Sequence, residues 1–134
     1  MNLETRIELR LWEYIKGQYE NGNYKGAILD SIFFLGDLIR EKTGLEGDGV
    51  QLVGQAFGGK VPVLKVNKLQ SESDRNIQTG IEQILRGIFL SIRNPRSHEK
   101  SVDTIEDAEA IIVFVNYLLG IINWTEPLGL DKMY

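Results

Sequence analysis

The stretch from Thr104 to Asn123 constrains the fold more than any other part of the chain. Its helical spacing puts apolar residues on two faces, with Ala108, Ile112, Val115, Leu119 and Ile122 on one and Ile111, Phe114, Leu118 and Ile121 on the other. A helix that is apolar on two faces lies in the middle of a core or is shared with a partner chain. A membrane span needs about 20 consecutive apolar residues, and this run is shorter and interrupted, so we predict a buried helix.

Three earlier stretches also repeat apolar residues at spacings of three and four, which is typical of amphipathic helices. We therefore predict helices over residues 3–19, 24–42, 72–92 and 104–123. A chain of 134 residues is most simply one domain. The expected fold is a single all-α domain over residues 1–134, built as a four-helix bundle.

Residues 44–71 differ in composition from the helical stretches. They contain six of the 14 glycines, and Pro62 interrupts any long helix there. A short helical turn over residues 50–57 is compatible with the pattern. We predict a long glycine-rich loop insertion between the second and third helices, and long loops in compact domains are often functional.

Part of this insertion, Gly54 to Lys60, matches the first seven positions of a phosphate-binding P-loop. The next position should be Ser or Thr to ligate magnesium, but it is Val61, and Pro62 follows where a helix should begin. A flexible loop explains the match better. A nucleotide-handling enzyme that depends on Lys60 is kept as a weaker alternative.

The chain has no cysteine and one histidine, His98. Disulfides and thiolate metal sites are therefore excluded, and no structural zinc site is expected. Asp30, Asp37 and Glu41 share a helical stripe and could hold a metal or orient a base, although a solvated face is the simpler interpretation. We predict no metal and no cofactor. The charged N-terminus lacks the apolar core of a secretory signal, and the absence of cysteine suits a reducing compartment, so we expect a cytoplasmic protein.

Charge is distributed unevenly along this acidic chain, whose net charge is −4. Residues 60–100 contain eight Lys or Arg and four Asp or Glu, a balance of +4, whereas the rest has a balance of −8. A local basic zone can hold phosphates even when the whole molecule is an anion. The alternative is chance clustering in a short chain.

The basic zone ends in the motif Arg93-Asn94-Pro95-Arg96-Ser97-His98. Arginine offers a planar fork of donors that matches phosphate oxygens, and histidine transfers protons near neutral pH. Cleavage of RNA by its own 2′-hydroxyl needs both services. Pro95 is expected to end the third helix at Asn94. A surface histidine near helix ends is the alternative interpretation of the same residues.

This motif, between the last two predicted helices, resembles the R-x4–6-H motif of the HEPN superfamily, and the polar Asn94 after the arginine fits as well. The stretch from Gly49 to Phe57, taken together with the motif, is similar to the bacterial Ymh-like branch. The similarity covers most of residues 25–125. The resemblance implies an all-α homodimer in which the two motifs face each other and form a composite, metal-independent ribonuclease site.

By the same resemblance, His98 acts as general acid or base, Arg93 binds the scissile phosphate and Asn94 supports it. Charge, rather than the resemblance, suggests phosphate contacts for Arg96, Lys100 and Arg86. We therefore predict an endoribonuclease that acts on RNA, as a toxin or anti-phage effector, with an antitoxin or regulatory protein as a possible partner and no membrane. The alternative is a non-catalytic HEPN module that binds a nucleotide or a partner protein.

Overall fold

The computed structural model describes residues 2–127 of the chain, and its fold is all-α. Its helices are α1 (Leu9–Glu20), α2 (Tyr24–Thr43), α3 (Gly49–Phe57), α4 (Glu72–Gly87), a π-helical segment (Ile88–Arg93), α5 (Asn94–His98) and α6 (Ile105–Asn123). Two-residue strands β1 (Leu64–Lys65) and β2 (Glu126–Pro127) pair antiparallel. The sequence also predicts an irregular tail over residues 125–134, most of which lies outside the described residues.

The core is built around α2 and α6, which pack against each other while α1 covers α2 and α3 packs on α4. The predicted two-faced character of α6 is visible in its burial. The face with Ala108, Ile112 and Val115 is fully buried, as is Leu118 of the second face, whereas Phe114 is 40% exposed. The sequence pattern therefore predicted the central position of α6 correctly. In the structure, the edge of the helix at Phe114 is not covered by the rest of the chain.

The first helix begins later than the periodicity predicts. Leu3–Thr5 forms a single 3-10 turn, and α1 starts at Leu9 because the chain is extended at Glu8. The backbone N–H of Glu8 donates to Oδ1 of Asn116 on α6 at 2.8 Å. A tertiary hydrogen bond thus holds the backbone out of the helix that local periodicity favours.

Residues 44–71 were predicted as a loop insertion that could contain a short helical turn over residues 50–57, and the structure has a full helix at that place. Residues 49–57 form α3, whose Leu52, Val53, Ala56 and Phe57 are completely buried in the core. The apolar face of α3 explains why a helix forms here. The free energy gained by burying its four side chains exceeds the cost that the glycines of the segment add to helix formation. The segment is therefore a structural part of the core and not a flap over it.

The predicted stop at Asn94 is wrong. Asn94 keeps helical angles, φ −61° and ψ −48°, and the helix continues to His98 through α5. The π-helical segment just before Pro95 explains this, since the Asn94 N–H donates to the carbonyl of Phe89, five residues back. One extra residue in the turn moves the proline ring away from the carbonyl with which it would clash in a straight α-helix.

No helix among residues 2–127 combines the length and the apolarity needed to cross a membrane. The two longest helices, α2 and α6, are bounded by side-chain N-caps from Asn23 and Thr104, and α2 ends at Gly44 in the left-handed conformation. These caps agree with the helix limits that the sequence predicts at both sites.

Candidate functional site

A cleft of about 220 Å³ lies between α2 and the segment formed by the π-helical turn and α5. Its floor is apolar and its rim is charged. It is lined by Leu29, Asp30, Ile32, Phe33, Gly36, Arg40, Asp48, Phe89, Arg93 and Ser97. Ligand sites in proteins have this combination of apolar walls and a few convergent polar groups. Arg93 of the sequence motif is therefore part of a concave surface.

Arg93 is held on three sides. Its Nη1 pairs with Oδ2 of Asp48 at 2.7 Å, its Nε donates to Oδ1 of Asn94 at 3.1 Å, and its guanidinium lies 4.9 Å from the ring centre of Phe89. Its side chain is 27% exposed. The arginine is thus fixed in orientation, and one of its donor positions is already filled by a carboxylate.

Asp48 connects Arg93 with a second arginine, Arg40 of α2. Its other oxygen, Oδ1, lies 3.5 Å from Arg40 Nη1, and Arg40 also pairs with Asp37 at 2.9 Å. Burial tends to raise the pKa of Asp48. The hydrogen bond and charge of Arg93, with the Gly49 N–H and Arg40, outweigh this and hold that pKa below its ordinary value. Asp48 is therefore a carboxylate that stays ionised between two cations.

Gly49 explains how Arg93 and Asp48 come so close. It has φ +58°, and a Cβ at this position would lie 2.9 Å from Nη2 of Arg93. Only glycine adopts this backbone conformation without cost and leaves room for the guanidinium. The backbone at the start of α3 thus leaves space for Arg93. No local sequence pattern predicted this contact.

His98 lies at the last position of α5 and is exposed. No hydrogen bond or ion pair among residues 2–127 uses its imidazole. Asn94 precedes it by four residues, so the two side chains lie on the same helical face. Asn94 therefore stands between Arg93, to which it is bonded, and His98, one turn farther along.

Arg96, Arg86 and Lys100, for which the sequence suggested phosphate contacts, have different environments. Arg96 forms a bidentate pair with Asp103, through Nε at 3.0 Å and Nη2 at 2.8 Å. Arg86 pairs with Glu82 at 2.9 Å. Lys100 is exposed, and no acidic group among residues 2–127 pairs with it. Phosphate binding by the three stays a prediction, and in the structure the two arginines already bind carboxylates.

The P-loop match does not form a phosphate cradle. Gly54 lies inside α3, where a Cβ would come within 2.7 Å of Nη2 of Arg86, and Lys60 follows that helix instead of opening one. Asp30, Asp37 and Glu41 do not converge on one point. No group of three or more potential metal ligands occurs in the described part of the chain.

Sequence reasoning missed Asp48, Arg40 and Phe33 as members of the cleft, and it considered Asp30 only as one of three carboxylates that could hold a metal or orient a base. Their positions depend on how α2 and the loop before α3 pack against the π-helical segment, which is a tertiary fact. One signal was present in the sequence, because Asp48 stands between Gly47 and Gly49. Such a pattern gives a carboxylate on a tightly bent backbone, although it does not tell which arginine it meets.

These features define an all-α protein with a polar-rimmed cleft that contains Arg93, while Asn94 and the exposed His98 follow on the same continuous helix outside the cleft lining. The chain belongs to the Hypoth_Ymh family, described as "protein of unknown function (Hypoth_ymh)", whose family model matches residues 5–122. The Ymh likeness is therefore confirmed, and membership of the HEPN superfamily stays a prediction. No curated protein and no solved structure matched the chain.

Proposed function

We propose that this protein is a metal-independent endoribonuclease of the HEPN type, with an active site composed of two motifs at a homodimer groove. A role as a toxin or anti-phage effector, restrained by an antitoxin or regulatory protein, would follow from that activity. The proposal rests on the motif resemblance and on the arrangement of Arg93, Asn94 and His98.

The observation that carries the proposal is the unbroken helix through the motif. Because the π-helical turn accommodates Pro95, Arg93 reaches the cleft while His98 stays exposed at the end of the same helix. Asn94 is bonded to Arg93 and lies on the face of His98. A group that hydrogen-bonds phosphate oxygens and a proton-transfer group thus lie five residues apart on one helix, and transesterification of RNA requires both kinds of group.

In the proposed reaction, the 2′-oxygen of one ribose attacks the adjacent phosphorus and the 5′-oxygen of the next nucleotide leaves. One His98 accepts the proton of the 2′-hydroxyl, and the His98 of the second protomer donates a proton to the leaving 5′-oxygen. Arg93 stabilises the charge that develops on the phosphorane oxygens. The products are a 2′,3′-cyclic phosphate and a 5′-hydroxyl, and the second histidine is the reason a dimer is needed.

The proposed dimer would form through exposed apolar residues of the helix that leads into the motif. Ile77 and Ile84 of α4 are 51% and 40% exposed, and Leu90 of the π-helical segment is 56% exposed. Gly80 and Gly87 lie beside them, with open space where a Cβ would stand. We call Ile77, Gly80, Ile84, Gly87 and Leu90 the α4 stripe. Contact between two such stripes buries apolar area and lets two helices approach closely.

A second candidate function is the non-catalytic module, and one observation favours it. Arg93 is already paired with Asp48 and bonded to Asn94, as expected for an arginine with a structural role. In the catalytic proposal, a phosphate must replace Asp48. In the alternative, the pair is permanent and the exposed surfaces bind a nucleotide or a protein.

Incubation of single-stranded RNA with the protein in EDTA tests the proposal. Fragments that end in a 2′,3′-cyclic phosphate are expected from the wild-type protein, because neither histidine nor arginine needs a metal. Intact RNA in the presence of a protein that is dimeric in solution would contradict the proposal and favour the binding module.

A further inference from the structure

The cleft beside Arg93 has features that phosphate binding does not explain. A phosphate would need only the guanidinium of Arg93, whereas the cleft continues along α2 past Phe33 and Asp30. These two residues are three positions apart and so lie on the same helical face. At about 220 Å³, the cleft is smaller than the roughly 300–1,000 Å³ of sites for drug-sized ligands, so it suits one planar ring system.

Phe33 supplies a surface for stacking. It is 54% exposed although it is large and apolar, and the guanidinium of Arg40 lies 5.8 Å from its ring centre. Aromatic side chains beside arginine are the usual platforms for unpaired bases of RNA. Tyr14 also stacks with this ring, with 6.3 Å between the ring centres and 11° between the planes. A base would extend this aromatic pair and cover the part of Phe33 that stays exposed.

Asp30 supplies the acceptors. Burial raises the pKa of its carboxyl group, and a hydrogen bond with Gln18 opposes that effect. No Arg, Lys or His pairs with Asp30 in the part of the chain that the structure describes. A half-buried carboxylate without a cation gains most from a ligand that brings N–H donors. The other carboxylate of the cleft, Asp48, is occupied by two arginines.

We propose that this cleft binds a guanine base of the RNA next to the phosphate at Arg93, with the base stacked on Phe33 and its Watson–Crick edge on Asp30. Guanine is the base whose Watson–Crick edge presents two adjacent N–H donors, which match the two oxygens of a carboxylate. Adenine and cytosine present one amino group beside an acceptor, and uracil presents a single N–H. This inference rests on the proposed function for the position of the phosphate and adds sequence preference to it.

Binding of uncleavable RNA tests the inference separately from catalysis. The probes are 2′-O-methyl hexamers of uridine that carry one central guanine, hypoxanthine, adenine or uracil, and 2′-O-methylation removes the attacking hydroxyl. Hypoxanthine is the matched control, because it lacks only the exocyclic amine of guanine. Fluorescence anisotropy with wild-type protein is expected to show guanine bound about tenfold more tightly than hypoxanthine, the value of one charge-assisted hydrogen bond.

Substitutions of the cleft residues show where the base binds. Asp30→Asn is expected to reduce guanine binding to the level of hypoxanthine, and Phe33→Ala to weaken all four probes. Glu41→Gln, an exposed carboxylate on the same helix, and Phe114→Ala, an exposed aromatic on α6, are the controls and should change nothing. Equal binding of the four probes, or a guanine preference that survives Asp30→Asn, overturns the inference.

The two proposals fail in distinguishable ways. A guanine preference without any RNA cleavage supports the base site and removes the ribonuclease. Cleavage without preference for guanine supports the ribonuclease and removes the base site. If Phe33→Ala changes the oligomeric state but not RNA binding, the cleft is occupied by a second copy of the chain, which also overturns the inference.

Discussion

Asp48 occupies the donor of Arg93 that a phosphate would need. The pair measures 2.7 Å, but the Asp48 side chain is 63% exposed. Exposed ion pairs of this kind contribute about 0–1 kcal/mol, so a phosphate can replace the carboxylate at small cost. Asp48 also has a second cation nearby, Arg40, with which it could stay paired after leaving Arg93. If RNA binds as proposed, Asp48 competes with its phosphate for Arg93 and also anchors the loop before α3.

Asp48→Asn is therefore expected to increase RNA affinity and cleavage several-fold, because the competing charge is gone while the amide can still hold the loop. The free energy of unfolding should change by less than about 1 kcal/mol. Filter binding and urea unfolding measure the two effects, with Glu41→Gln as control. A loss of RNA binding would show that Asp48 positions Arg93 instead of competing with the phosphate.

The same pair predicts a pH dependence of stability. The folded protein holds the pKa of Asp48 below its ordinary value of 3.8, so the ionised carboxylate contributes stability above that value. This contribution is lost as the pH falls below 3.8 through the folded-state pKa. The difference in unfolding free energy between wild type and Asp48→Asn should be present near neutral pH and should vanish in acid. A difference that does not change with pH would exclude this origin.

Gly49→Ala is expected to destabilise the protein by about 1–2 kcal/mol, because a Cβ disfavours the positive φ at this position. It would also press against Nη2 of Arg93, 2.9 Å away. Urea denaturation measures the loss. Gly17→Ala in α1 is the matched control, since a Cβ there meets nothing within 4 Å and alanine favours a helix. Equal stability of the two variants would contradict the assigned role of Gly49.

At the scale of elements, the π-helical segment Ile88–Arg93 decides where the motif points. Periodicity predicted the helices on either side, but no sequence rule tells whether a proline ends a helix or is accommodated by a wider turn. Pro95 was interpreted as a stop because its ring disfavours helix at the preceding residue. Buried Ile88 and Phe89 anchor the wide turn in the core, and this packing overrides the local preference.

Arg96 fastens the end of this helix to the following segment. Its bidentate partner Asp103 is only 8% exposed, so removal of the guanidinium leaves a nearly buried charge unpaired. We expect Arg96→Ala to cost about 2–3 kcal/mol in unfolding free energy. Lys100→Ala, four residues on and exposed, should leave stability unchanged. A stable Arg96→Ala protein that binds RNA poorly would instead assign Arg96 to phosphate binding.

For the whole molecule, the sequence predicted the features that apolar periodicity and side-chain chemistry determine. It did not predict the features that depend on how the helices pack. The all-α class and the central position of α6 follow from apolar spacing. The partners Arg93–Asp48 and Arg96–Asp103 do not, because the first joins residues 45 positions apart and the second depends on the course of the chain after α5. The candidate site was therefore located by its motif, while its cleft required the structure.

A homodimer through the α4 stripe is expected if the composite site is correct. Ile84→Asp should convert the protein to a monomer and abolish cleavage, because a charge cannot be buried between the stripes. Tyr117→Asp on α6, whose side chain is 61% exposed, is the control and should stay dimeric. Light scattering after size-exclusion chromatography gives the masses. A dimer lost through Tyr117→Asp alone would move the interface to α6.

Cleavage of RNA in EDTA by wild type, His98→Ala and Arg93→Ala tests the central claim most directly, with Glu41→Gln as the surface control. Proton transfer by a positioned histidine contributes roughly 100- to 10,000-fold, so His98→Ala should be slower than wild type by at least the lower value. Arg93→Ala should lose activity comparably, and Glu41→Gln should stay within a few-fold. Cleavage by His98→Ala at the wild-type rate would contradict the account.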